Sequence, residues 1–115
     1  MRSPAAPREA QEAGKRLWQS VLGDFELSEP ELCLLREAAR TADVCDQLQQ
    51  LVHEDGPMVE GRANPALVEL RMQRILLARL LVALRLPLGE AEDEQPGRLQ
   101  RRSVRGVYGL KGSVA

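Results

Sequence analysis

Aromatic residues are nearly missing: one Trp, one Tyr and one Phe in 115 residues. No run alternates apolar and polar residues over a useful length, so the chain offers no sign of a strand-built core. Leu, Ala, Glu and Arg dominate instead, which is a helix-forming vocabulary. The fold class this predicts is all-α, in one domain with room for a modest core and free ends.

Other absences bear on function. Cys33 and Cys45 are the only cysteines, with no CxxC spacing for a metal. They fall twelve residues apart in one expected helix, which excludes a bridge between them, so two buried thiols in a reducing compartment are expected. There is no phosphate-binding GxxxxGK[ST] loop, no HExxH, no GxSxG and no dinucleotide fingerprint. The expectation is therefore a binding or assembly protein, not an enzyme, with no cofactor and no metal. The start MRSPAAPREA has no apolar core of the signal-peptide kind. The longest apolar run, residues 75–84, contains Arg79 and is far short of the roughly 20 residues of a membrane span.

Net charge is −1, so no global field draws the chain to nucleic acid. The distribution is uneven. Glu90, Glu92, Asp93 and Glu94 form an acidic block, followed by Arg98, Arg101, Arg102, Arg105 and Lys111 with no acid among them. With five glycines and few apolar side chains, residues 88–115 read as a flexible, acidic-then-basic tail.

Taken in order, residues 1–7 carry Pro, Ala and Ser and read as disordered. Residues 8–87 read as a helical oligomerisation or core domain. A first helix is expected over 8–22, with Gly23 as its stop. Trp18 reads as a core anchor, and Lys15 and Arg16 beside it are a basic pair available to nucleic acid. Ser28, Pro30 and Glu31 have capping-box spacing with proline in the first turn and mark the start of a helix running to about His53. Its seam is Leu32, Leu35, Ala38, Ala42, Cys45, Leu48 and Val52, while Glu31, Glu37, Asp43 and Asp46 make its polar surface acidic. His53 is alone near that helix's C-terminus, where a protonated imidazole is favourable. A turn and a short loop or small hairpin around Gly61 follow.

The stretch 64–87, NPALVELRMQRILLARLLVALRLP, carries its own punctuation. Asn64 is placed to cap it, Pro65 suits the first helical position, and Pro87 stops it. Leu67, Leu70, Leu77, Leu81 and Leu84 follow heptad spacing, with Arg74 in the remaining seam position. Met72, Ile75, Leu76, Leu80, Val82, Ala83 and Leu86 cover most of the rest. A helix apolar all round needs protein all round. Either it is the central helix of a monomeric bundle, or neighbouring subunits enclose it through the Leu67–Leu84 seam. The second and third helices are long enough for an antiparallel pair. Two functional readings stay open at this level: an oligomeric module that binds nucleic acid through its charged ends, and a helical adaptor without nucleic acid.

Several stretches resemble the small terminase subunits of tailed, cos-type bacteriophages. These are Gly14-Lys15-Arg16-Leu17-Trp18-Gln19-Ser20-Val21-Leu22, Phe25-Glu26-Leu27, Glu31-Leu32-Cys33-Leu34-Leu35-Arg36-Glu37-Ala38 and, most specifically, Asn64-Pro65-Ala66-Leu67-Val68-Glu69-Leu70-Arg71 with Gln73-Arg74, Leu77-Ala78-Arg79-Leu80-Leu81 and Leu86-Pro87. Arg105-Gly106-Val107-Tyr108-Gly109 is similar too. The resemblance implies a ring-like homo-oligomer without catalytic activity. Such a ring recognises viral double-stranded DNA in the host cytoplasm and hands it to the large terminase subunit during genome packaging. Members of this group commonly carry a helix-turn-helix, but here the second helix is long and acidic, which phosphate would repel in a major groove. DNA contacts are therefore expected on Arg98, Arg101, Arg102, Arg105 and Lys111 of the tail, with Arg71, Arg74, Lys15 and Arg16 next in line.

Overall fold

A computed structural model of the chain describes residues 3–86. It is helical, with one two-stranded hairpin: α1 (Glu12–Asp24), α2 (Glu29–Asp55), β1 (Met58–Val59), β2 (Arg62–Ala63) and α3 (Pro65–Leu84). The tail beyond Leu86, with its acidic block, its basic residues and Pro87, lies outside the described residues.

α2 is the spine, and its start is built as its sequence predicts. The Ser28 hydroxyl accepts from the Glu31 N–H, and Glu31 Oε1 accepts from the Ser28 N–H at 2.7 Å. The far end stops at Gly56, whose φ of 84° suits a residue without a Cβ. β1 and β2 then pair antiparallel, Met58 opposite Ala63 and Val59 opposite Arg62. The two-residue turn places Glu60 (φ 51°) and Gly61 (φ 76°) in the left-handed region, the combination that matches hairpin twist. Glycine is at home there, whereas Glu60 costs about 1 kcal/mol.

Asn64 ties this turn to both helices. Its Oδ1 accepts from the Ala66 N–H at 2.9 Å, its Nδ2 donates to the Gly56 carbonyl at 2.8 Å, and its own N–H donates to the Pro57 carbonyl. A buried side chain with donor and acceptor both satisfied fixes where α3 begins relative to where α2 ends. α3 then runs back along α2 and ends on Arg85, a left-handed residue whose N–H reaches the Val82 carbonyl.

The core lies at the other end of this hairpin, where α1 packs on the first half of α2. Trp18, Val21, Leu22 and Phe25 meet Leu32 and Leu35 of α2 and Leu84 of α3. Ala38 and Ala39 are fully buried, and their small side chains let neighbouring helices come close. Trp18 is the core anchor its position predicts, and its indole N–H donates to the Pro4 carbonyl at 3.0 Å. Residues 3–7, expected to be unstructured, are therefore held against the core, with Ala6 packed on it.

Three local expectations are corrected. α1 begins at Glu12, not at residue 8, and passes through Gly23 to Asp24. Asp43 is a buried cap on α1 instead of part of an acidic surface: its two carboxylate oxygens accept from the N–H groups of Gln11 and Gly14, each at 2.7 Å. α1 has no side-chain cap from its own N-cap residue, so two of the N–H groups at its start are satisfied by a residue 29 positions away from Gly14. The cysteines are not both buried either. Cys33 is exposed and Cys45 half-buried.

Candidate assembly and DNA-contact surfaces

α3 decides what the body can do, because its two faces have different fates. The seam named from the sequence turns inward. Leu70 and Leu84 are each 1% exposed, Leu81 packs on the core, and Leu67 and Leu77 are half-buried. These five side chains are spent on holding α3 within its own subunit. Arg74, the polar seam position, leans out and donates to Gln49 Oε1 of α2 at 2.6 Å.

The opposite face is open. Val68, Met72, Ile75, Leu76 and Val82 are 43–73% exposed, Val82 the most. Val68, Met72, Ile75, Arg79 and Val82 advance by steps of four and three, so they form a second heptad seam. One helix thus carries two seams, of which the subunit covers one. Contiguous apolar side chains left in water on one face mark an interaction surface more often than scattered ones do. Bringing each under cover is worth on the order of 1 kcal/mol, since each already exposes about half its area.

The charged candidates fall in separate places. Lys15 and Arg16 are exposed on α1 and line a shallow open depression with Gln11, Glu12 and Gln19. Arg16 reaches Glu12 at 4.0 Å across two highly exposed side chains, a contact too weak to hold it from another anion. Arg71 is exposed on α3 one turn from Arg74. No hydrogen bond or ion pair joins the α1 pair to the α3 pair among the described residues. Arg98, Arg101, Arg102, Arg105 and Lys111 lie outside them.

The ordered charge network belongs to Arg40 of α2, with Nε 2.6 Å from Glu9 and a terminal nitrogen 2.6 Å from Glu37. Hydrogen bonding to Arg40 holds the Glu9 carboxyl below the usual range and raises the Arg40 guanidinium. Its exposure makes this a modest tether for the N-terminal segment. Burial pushes the Cys45 thiol up, against an opposing pull from Arg74. Among the described residues no group of three or more His, Cys, Asp or Glu is placed to hold a metal ion, and no helix is long and apolar enough to cross a membrane. Compared with family models, curated proteins and solved structures, the chain matches none.

Proposed function

We propose that this chain is a non-enzymatic, self-assembling DNA-recognition subunit of the small-terminase type. It acts in the host cytoplasm to gather viral double-stranded DNA for a large terminase subunit. The observation that carries the reading is the open seam of α3: a helix with a second apolar face, in a subunit whose own core is already closed. The residues that most resemble small terminases lie on this same helix, and they supply Val68 and Arg79 of the open face. In an assembly, weak basic contacts repeated on every copy add through effective concentration, and no single subunit needs a strong site. The tail arginines then supply most phosphate contacts, with Lys15, Arg16 and Arg71 exposed on the body as further contacts.

The test is a DNA titration at several salt concentrations. The intact protein should bind with a steep salt dependence. A variant with Arg101, Arg102 and Arg105 changed to Ala should bind all sequences more weakly and lose about 2–3 units of slope per engaged subunit, with its assembly unchanged. An unchanged slope would move the contacts to the folded body, where Lys15→Ala with Arg16→Ala is the next pair to test. Absence of any salt-dependent binding by the intact protein would remove the DNA reading.

A further inference from the structure

The open seam of α3 has a fitting counterpart on the same molecule. On the side of α2 turned to solvent, Val44, Gln47, Leu51 and Glu54 also advance by three and four, with Asp55 beside them. Val44 is 37% and Leu51 46% exposed. Charge separates the two surfaces. α3 carries Arg71, Arg74 and Arg79 against Glu69 alone, whereas residues 44–55 of α2 carry Asp46, Glu54 and Asp55 with no Lys or Arg. Arg79 stands inside the α3 seam. A guanidinium covered there without a carboxylate is strongly unfavourable, so whatever covers this face must bring an acid to it.

Two copies of α3 pairing with each other fail that requirement, because three arginines on each side share one glutamate per copy. The distal face of α2 meets it. The side chains of Arg71, Arg79, Glu54 and Asp55 have no hydrogen-bonded or ionic partner among the described residues.

We propose that the outer seam of α3 docks on the acidic distal face of α2 in the next copy. Arg79 is answered there by Glu54 or Asp55, and Ile75 by Leu51. Every copy then keeps one free α3 face and one free α2 face. The contact is heterologous and propagates, closing into a ring or running on as a filament according to its rotation. This rests on the assembly reading above and names its interface.

Cross-linking and charge exchange test it together. In a Cys33→Ser, Cys45→Ser background, Ile75→Cys and Leu51→Cys proteins are prepared separately and treated with a flexible bis-maleimide. Its reach tolerates a one-turn difference in register. The mixture should give a cross-linked dimer that neither protein gives alone. Arg79→Glu should weaken assembly about tenfold or more, as should Glu54→Arg with Asp55→Arg, and the triple variant should recover it. All three positions are exposed, and circular dichroism verifies that each variant is folded. If Ile75→Cys cross-links to itself as well as to Leu51→Cys, α3 pairs with α3: the inference falls while assembly stands. An Arg79→Glu protein of unchanged affinity would likewise overturn it. A wild-type protein that is monomeric at micromolar concentration would overturn both the inference and the assembly reading.

Discussion

Two glycines of α1 should respond in opposite directions to the same change. Gly14 and Gly23 both lie within Glu12–Asp24, and in an exposed helix Gly→Ala is worth up to about 1 kcal/mol of added stability. A Cβ at Gly23 meets nothing within 4 Å, whereas one at Gly14 would sit 2.6 Å from the Ala39 carbonyl oxygen and 2.6 Å from Asp43 Oδ2. The Ala39 carbonyl is part of the α2 backbone and cannot step aside. The Asp43 oxygen is engaged in the cap on α1. Relief requires α1 to lift from α2, which costs about 1–3 kcal/mol in overpacking and about 1–3 kcal/mol in the weakened charge-assisted bonds. Against the propensity gain, Gly14→Ala should lose roughly 2–4 kcal/mol, and Gly23→Ala should gain about 0.5 kcal/mol. For a domain of this size the first is a fall in Tm of roughly 10 °C or more. Urea melts at one fixed protein concentration, followed by circular dichroism, read both. Gly14→Ala with an unchanged or raised midpoint would show that α1 does not sit against α2 through Gly14 and Asp43.

Asp43→Asn removes one acceptor and turns an amide toward a backbone N–H, so it should cost about 1–3 kcal/mol in the same melts. Cys33, exposed, should react with iodoacetamide at mildly alkaline pH well before Cys45, which is half-buried and whose thiol is pushed up by burial; mass mapping of a time course shows the order, and equal rates would contradict the placement of α2 against α3. Leu81→Asp puts a carboxylate against the Trp18–Leu84 core and should unfold the subunit or lower its stability by several kcal/mol, seen as a loss of helical signal and not only of assembly.

The sequence made the long helices legible where their signals are local. Ser28 with Glu31, and Asn64 with Pro65, each announce a helix start within four residues, and both caps form as their spacing predicts. The start of α1 could not be read this way, because its cap is Asp43, distant in sequence and resembling a surface acid until the fold brings it beneath Gly14. Gly23 looked like a stop, yet a helix ending in an exposed turn tolerates glycine, and Phe25 closes it by donating to the Val21 carbonyl. α3 is the more instructive case. Its apolar surround was evident, but two heptad registers two residues apart run along it, and spacing alone does not say which turns inward. The Leu67–Leu84 register is the one that meets α2 and the core, which leaves the Val68–Val82 register as the free surface. Of the charged candidates, the body supplies two separated pairs and no single basic patch, while the arginines of residues 98–105 lie outside the described residues.

The most direct measurement is the solution mass of the wild-type protein beside Ile75→Asp, by light scattering at micromolar concentration. Ile75 is half exposed on the open seam and takes no part in the core, so the substitution leaves the fold intact while placing a carboxylate in the contact. The wild-type mass should be a multiple of 12.8 kDa. The variant should fall toward a single chain with its helical signal retained. A wild-type mass of one chain, or a variant that keeps the wild-type mass, would contradict assembly through the outer seam of α3.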